Sequence, residues 1–132
     1  MIIEDDLDDQ YMFSEVFKSL NYANEVIYFA DGIAALKYLT ESFIKPFIIF
    51  SDINMPRIDG IELRKRIHQN EDLRLKSIPY LFFSTTAEQQ FVIKAYSKSA
   101  QVFLLNIYFH RTKRCYRDYT KILAEMRCSF LS

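Results

Sequence analysis

The 132-residue sequence has few of the residues that define several protein classes. Its two cysteines, Cys115 and Cys128, lie thirteen residues apart without a C-x-x-C partner, so they indicate neither a disulfide framework nor a metal site. Its two histidines, His68 and His110, are isolated. No apolar run approaches the roughly 18 residues of a membrane span, and no basic leader precedes an apolar segment. We therefore expect reduced cysteines and a cytoplasmic protein.

The sequence also lacks a net charge. Seventeen basic residues balance seventeen acidic ones, so the molecule as a whole has no field that would attract nucleic acid or an anionic membrane. Charge is uneven only locally, because five of the six positions from Glu4 to Asp9 are acidic. A basic run near the C-terminus comprises Arg111, Lys113, Arg114 and Arg117. We interpret that run as a solvated face and predict no nucleic-acid and no membrane partner.

The length and the order of apolar segments predict one α/β domain. A chain of 132 residues can bury one core but is too short for two. Short apolar runs predict strands at 1–4, 25–30, 47–51, 79–83 and 102–106. Apolar residues at three- and four-residue spacing predict helices around 12–20, 33–43, 61–67, 91–96 and 116–126. Five strands alternating with five helices predict a doubly wound parallel sheet with helices on both faces.

Local punctuation supports these boundaries. Asp31-Gly32 and Asp59-Gly60 are expected to start the second and third helices, and Pro79 is expected to open the fourth strand. The apolar face of the second helix, which we call its stripe, is predicted to run from Ile33 to Phe43. Only three residues precede the acids of the first strand, which leaves open that the natural chain has residues upstream.

Acidic residues follow two of the predicted strands. Asp52 ends the apolar run 46–51, and Glu4 with Asp5 follows Met1–Ile3. Ligands in open α/β sheets bind at the carboxyl ends of the strands, so these acids are predicted to share one Mg²⁺ site. Asp5 and Asp52 would be direct ligands, Glu4 would act through water, and the backbone carbonyl of Asn54 would complete the set. The alternative for positions 4–9 is a solvated acidic loop that caps a helix.

Ser84 follows the fourth predicted strand. Its hydroxyl would lie at the same edge of the sheet and could bond a phosphoryl oxygen. The alternative is a helix N-cap, because Ser84, Thr85 and Thr86 precede Ala87-Glu88.

The segment Asp52–Gly60 reads Asp-Ile-Asn-Met-Pro-Arg-Ile-Asp-Gly. It closely resembles the D-x-x-M-P-x-x-D-G loop of bacterial response-regulator receiver domains, the phospho-acceptor modules of two-component signalling. The acid pair Glu4-Asp5 is similar to the family's acidic pair, Ser84 to its switch hydroxyl and Phe103 to its switch aromatic. The resemblance covers residues 1 to about 106. It implies a flavodoxin-like fold and a single receiver domain over 1–132, in which 107–132 form a divergent loop and the last helix.

The resemblance also implies a function. Asp52 would accept a phosphoryl group, with Mg²⁺, from a histidine kinase or a phosphotransfer protein. Ser84 and Phe103 would then move and change the surface presented to a downstream protein. We expect a stand-alone receiver that signals by protein–protein contact and is not a turnover enzyme. Pairing into a homodimer through the fourth and fifth helix–strand units is left open.

The fifth predicted strand departs from the family. The family normally ends this strand with a lysine that contacts the phosphate, whereas this chain has Asn106. A positive charge about 4 Å from phosphate is worth on the order of 4 kcal/mol at an effective dielectric of about 20. We expect the loss to weaken the switch more than phosphoryl transfer itself. The alternative is that Lys113 or Arg111 takes the lysine's place.

Two other functions stay open at this point. One is a pseudo-receiver that keeps the fold and acts as a binding module because Asn106 replaces the lysine. The other is a small phosphohydrolase with an aspartate nucleophile. Such enzymes need a second acid two residues after the nucleophile, where this chain has Asn54, and this residue counts against turnover.

Overall fold

A parallel sheet forms the centre of the protein. The computed structural model describes residues 1–19, 21, 23–84 and 102–106, with strand placement alone for Ser84 and 102–106. The strands are β1 (Ile2–Ile3), β2 (Tyr28–Phe29), β3 (Ile49–Asp52), β4 (Tyr80–Ser84) and β5 (Val102–Asn106). They pair in the order β2-β1-β3-β4-β5, and every pair is parallel. The predicted fold class is confirmed.

Four helices lie in the described part of the chain. They are α1 (Leu7–Ser19), α2 (Gly32–Glu41), α3 (Gly60–Gln69) and α4 (Glu71–Leu75). The first three match the predicted helices. The five-residue α4 was not predicted; it starts where the Asn70 side chain accepts a hydrogen bond from the Leu73 N–H, at 3.0 Å. The helices predicted around 91–96 and 116–126 lie outside the described residues.

The two faces of the sheet bury alternate residues of each strand. On one face Ile3, Ile49 and Phe82 pack with apolar residues of α2, α3 and α4. On the other, Ile2, Phe50, Leu81 and Phe83 pack with α1. The Phe13 ring of α1 lies 4.8 Å from that of Phe83, centroid to centroid. Because both faces are covered, the strands read as continuous apolar runs rather than as an alternating pattern.

Two of the helices start at Asp31-Gly32 and Asp59-Gly60, as predicted, and each aspartate caps its helix. The Asp31 carboxylate accepts a hydrogen bond from the Ala34 N–H at 2.9 Å, and Asp59 accepts one from the Glu62 N–H at 2.7 Å. Each cap satisfies a backbone donor that would have no partner within the helix. The cap at Asp59 fixes where α3 begins relative to the loop after Asp52.

The predicted stripe of α2 was wrong at its C-terminal end. The helix ends at Glu41, and Phe43 is fully exposed. The chain turns at Ser42, whose hydroxyl oxygen accepts a hydrogen bond from the Ile44 N–H at 3.0 Å, so position 43 no longer lies on the helical face. Apolar spacing continued past the helix in the sequence, and only the turn shows where the buried stripe stops.

Asp31 also pairs with Arg57 of the loop after β3. Its backbone hydrogen bond to Ala34, with a smaller contribution from Arg57, holds the pKa of Asp31 below its usual value.

We expect Asp31→Asn, which keeps a good cap but loses the ion pair, to lower the free energy of unfolding by less than about 1 kcal/mol because the Arg57 side chain is exposed. Asp31→Ala should cost about 1 kcal/mol more, because it also loses the cap. Urea denaturation of the two variants measures this; equal losses would contradict it.

Candidate functional site

The candidate site lies where the strand order reverses. From β1 the chain passes to β2 on one side, whereas β3 lies on the other side and leads on to β4. Such a switch point leaves a crevice at the carboxyl ends of the strands. Glu4 and Asp5 follow β1, and Asp52 ends β3. One carboxylate oxygen of each residue lies within 4.8 Å of the others, so the predicted cluster is formed.

Glu4 is held in place by backbone and side-chain contacts. Its side chain is 3% exposed. Its carboxylate Oε1 accepts a hydrogen bond from the Asp6 N–H at 2.9 Å, and its carbonyl accepts one from Gln10 Nε2 at 2.5 Å. Its own N–H donates to the Phe29 carbonyl at 2.9 Å, which extends the β1–β2 pairing by one residue. The buried carboxylate therefore has a fixed position, while Asp5 beside it is exposed.

The acidic run 4–9 contains both predicted features, a helix cap and part of a carboxylate cluster. The Asp6 carboxylate accepts hydrogen bonds from the N–H groups of Asp8 at 2.8 Å and Asp9 at 3.3 Å, and so caps the start of α1. Glu4 and Asp5 instead belong to the cluster with Asp52. The helix-capping interpretation therefore holds for Asp6. The positions of Glu4 and Asp5 are compatible with their interpretation as metal ligands.

Burial and mutual repulsion make the site retain protons when it holds no cation. Burial, followed by the charges of Asp52, Asp9 and Asp5, raises the pKa of Glu4 to about 8. Burial, followed by Asp5 and Asp9, raises the pKa of Asp52 to about 6. These carboxylates lose charge–charge repulsion when one of them is protonated or when a cation lies among them.

Two backbone groups favour the ionised form of Asp52. The N–H groups of Ile53 and Asn54 donate hydrogen bonds to its carboxylate and oppose the rise of its pKa.

The sequence did not single out Asp9, whose negative charge raises the pKa of both Glu4 and Asp52. Its only sequence signal was membership of the acidic run, because the path of α1 decides which acids of the run face the site.

The donor set fits a hard divalent cation. Three carboxylates offer oxygen ligands, the kind that Mg²⁺ and Mn²⁺ take in proteins. Asp52 is partly buried and Asp5 is exposed, so the cluster lies at the surface edge of the sheet. The Asn54 side chain is exposed as well, and the role of its backbone carbonyl as a ligand stays a prediction.

The strand register brings two other predicted residues to this edge. Asp52 pairs with Phe83, which places Ser84 one residue beyond it on the neighbouring strand. Ser84 pairs in turn with Asn106 at the end of β5, and Phe103 pairs with Leu81 further back. The side chains of Ser84, Phe103 and Asn106 are outside the described structure, so their roles stay predictions. Arg111 and Lys113, the alternatives to Asn106, lie outside the described residues altogether.

Sequence comparisons connect this arrangement to known proteins. A family model described as the response regulator receiver domain matches residues 1–106. Response regulator Rcp1 of Synechocystis sp. is 32% identical over 109 residues, which covers 79% of this chain and 73% of Rcp1. The probable methanogenesis regulatory protein FilR2 of Methanothrix harundinacea is 26% identical over 109 residues, covering 80% of this chain and 69% of FilR2.

Solved structures share the fold. The Mn²⁺-bound form of response regulator Rcp1 matches with a TM-score of 0.74 and 28% identity, over 92% of this chain and 88% of Rcp1. The phosphorylated cyanobacterial phytochrome response regulator RcpA matches with a TM-score of 0.75 over 99% of this chain and 91% of RcpA; at 21% identity it supports the fold alone. Within the described ranges, no helix has both the length and the apolar character needed to cross a membrane.

Proposed function

Because this chain belongs to the response regulator receiver domain family of two-component signalling, we propose that Asp52 accepts a phosphoryl group from a histidine kinase or a phosphotransfer protein. The observation that carries the proposal is the convergence of Glu4, Asp5 and Asp52 within 4.8 Å at the carboxyl edge of the sheet. The site would act as a phospho-acceptor and not as a turnover enzyme. The exchange is proposed to occur in the cytoplasm, where reduced cysteines are expected.

The chemistry follows from the Asp52 carboxylate. One of its oxygens attacks the phosphorus of the donor, the bond from phosphorus to the donor breaks, and an acyl phosphate forms on Asp52. The N–H groups of Ile53 and Asn54 favour the ionised carboxylate that this attack requires. Glu4, Asp5 and Asp52, with the Asn54 carbonyl, would hold Mg²⁺, which neutralises charge on the transferring oxygens.

The residues at the ends of β4 and β5 would convert the new charge into a signal. Ser84 would bond a phosphoryl oxygen, and Phe103 would change position, altering a surface that contacts a downstream protein. Asn106 can donate a hydrogen bond to the phosphoryl group but supplies no charge. We therefore propose that phosphorylation is retained while its coupling to the switch is weaker than a lysine would make it.

The test is phosphoryl transfer from a small donor. Wild-type protein incubated with Mg²⁺ and acetyl phosphate is expected to gain one phosphoryl group, measured by intact mass. Asp52→Asn should show no adduct, because the amide is not a nucleophile. Asp59→Asn is the matched control: it changes an acid in the same loop to an amide that keeps a good helix cap, and it should be labelled as fast as the wild type.

The same assay separates the rival functions. A pseudo-receiver, which Asn106 at the end of β5 favours, gives no adduct in the wild type. A phosphohydrolase consumes the donor steadily and leaves no lasting adduct. Equal labelling of the wild type and Asp52→Asn would show that the phosphoryl group is carried elsewhere.

A further inference from the structure

Two buried hydroxyl groups lie directly beneath the candidate acceptor. Ser51, the residue before Asp52, has no exposed surface, and Tyr80, the first residue of β4, is 4% exposed. Burying a hydroxyl is unfavourable unless the hydroxyl makes hydrogen bonds. The hydrogen-bond partners of Ser51 and Tyr80 therefore indicate what these two hydroxyls contribute.

Both hydroxyls bond to backbone carbonyls around the acceptor. The Tyr80 hydroxyl donates to the Gly60 carbonyl at 3.0 Å, in a buried position. The Ser51 hydroxyl donates to the Asp52 carbonyl at 2.8 Å. The Tyr80 hydroxyl therefore connects the start of β4 to the first residue of α3, and the Ser51 hydroxyl holds the carbonyl of Asp52 at the end of β3.

The start of α3 packs closely against the backbone of Asp52. The Gly60 N–H donates to the Ile53 carbonyl at 2.8 Å. A Cβ atom added at Gly60 would lie 2.2 Å from the Asp52 carbonyl oxygen and 2.9 Å from Ser51 Oγ. A shift of α3 at this point must displace the backbone that carries the Asp52 carboxylate.

Packing alone does not account for the tyrosine. The Tyr80 ring lies 5.1 Å from that of Phe82 in the core, and a phenylalanine would fill the same place without burying a hydroxyl. What the hydroxyl adds is a bond from β4 to the first carbonyl of α3.

We propose that Tyr80 and Ser51 are positioning residues for the acidic site: their hydroxyls fix the Asp52 backbone relative to α3 and so hold its carboxylate near Glu4 and Asp5. This inference rests on the proposed function of Asp52 as metal ligand and phospho-acceptor. Neither hydroxyl is proposed to contact the cation or the phosphoryl group.

The first test removes the phenolic hydroxyl. Tyr80→Phe is expected to raise the Kd for Mn²⁺ about fivefold and to lower the rate of labelling by acetyl phosphate at saturating Mg²⁺ by a similar factor. The effect should lie below the 10- to 100-fold typical of groups that contact a metal ligand's side chain, because Tyr80 acts through the backbone. Tyr28→Phe, the same substitution on a strand three positions away in the sheet, is the control and should change neither quantity.

The second test separates positioning from packing at Ser51. Ser51→Thr and Ser51→Val introduce side chains of nearly the same shape, so both strain the buried position alike, but only threonine keeps a hydroxyl. The threonine variant is expected to bind Mn²⁺ and to be labelled several-fold better than the valine variant. If Tyr80→Phe does not fold, this pair decides the question.

The outcomes distinguish the inference from the function on which it rests. Wild-type Kd and labelling rate in Tyr80→Phe, or equal behaviour of the threonine and valine variants, would overturn the positioning role even if all of them were less stable. Mn²⁺ binding by the wild type without any labelling would overturn the acceptor role of Asp52, while the Mn²⁺ comparison would still test Tyr80 and Ser51. A wild type that does not bind Mn²⁺ overturns both.

Discussion

Glu4→Gln is expected to stabilise the metal-free protein at pH 8 by about 3 kcal/mol relative to the wild type, and to have little effect at pH 5. The pKa of Glu4 is about 8 in the folded protein, against 4.5 for an exposed glutamate. Between these values the folded state holds a proton that the unfolded state has lost, so the wild type loses stability as the pH rises. Glutamine carries no charge at any pH, and its side-chain oxygen can still accept the hydrogen bond from the Asp6 N–H.

The comparison with Glu4→Gln isolates this carboxyl from other groups. Asp52, with its pKa raised to about 6, contributes in the same direction between pH 4 and 6. The Met1 ammonium, whose pKa burial lowers to about 6, contributes in the opposite direction between pH 6 and 8, and it is common to both proteins. Urea denaturation from pH 5 to 8 measures the difference, with the exposed Glu41→Gln as the control. A constant difference across this range would mean that the Glu4 carboxyl titrates as an exposed one.

A divalent cation should offset the stability difference between the two proteins. Metal binding requires ionised carboxylates and releases their protons, so wild-type affinity is expected to rise with pH from 6 to 8. At a free Mn²⁺ concentration about 100 times the Kd, the cation adds about 3 kcal/mol to wild-type stability at pH 8. Glu4→Gln should gain much less. The carboxylate that destabilises the empty site thus stabilises the loaded one.

Gly60→Ala is expected to destabilise the protein by about 3 kcal/mol, the upper part of the range for overpacking. The added Cβ would lie 2.2 Å from the Asp52 carbonyl oxygen, so the backbone at the end of β3 or at the start of α3 must move. Because this backbone carries Asp52, we also expect phosphoryl labelling to fall at least tenfold even where the variant is folded. Chemical denaturation and intact mass measure the two effects.

Gly32→Ala provides the matched control. Gly32, like Gly60, is the first residue of a helix and follows an aspartate cap. A Cβ there would meet the Ile58 side chain at 2.8 Å and 3.0 Å, and a side chain can move where a backbone carbonyl cannot. We expect a loss below about 1 kcal/mol and unchanged labelling. Similar losses of stability in Gly60→Ala and Gly32→Ala would mean that the contact with the Asp52 carbonyl oxygen does not increase the cost of the added Cβ.

Much of the site could be predicted from short sequence segments. The apolar run ending at Asp52, the Pro- and Gly-containing loop after it and the acids after β1 each depend on neighbouring residues, and the structure brings their carboxylates together. The helix starts at Asp31-Gly32 and Asp59-Gly60 were predicted for the same reason, since the residues that mark a helix start are adjacent to it in sequence. The functional roles assigned to Ser84, Phe103 and Asn106 stay predictions.

Local pattern failed at a helix end, at a short helix and at one distant contact. Phe43 continued an apolar spacing that the turn at Ser42 ended, and α4 was too short to show periodicity. Tyr80 read as one more apolar residue of a strand, because nothing nearby in the sequence indicates that its hydroxyl meets a carbonyl twenty residues earlier.

The sequence by itself determined the order of the strands and of the first three helices, the acids at the strand ends and the loop that identifies the family, since each is encoded within a few consecutive residues. Only the tertiary structure decided that Glu4 is buried, that Asp9 acts on Asp52 and that the Tyr80 hydroxyl joins β4 to α3. The reason is physical: burial and charge–charge distances are properties of segments far apart in the chain, and they exist only once the sheet has brought β1, β3 and β4 side by side.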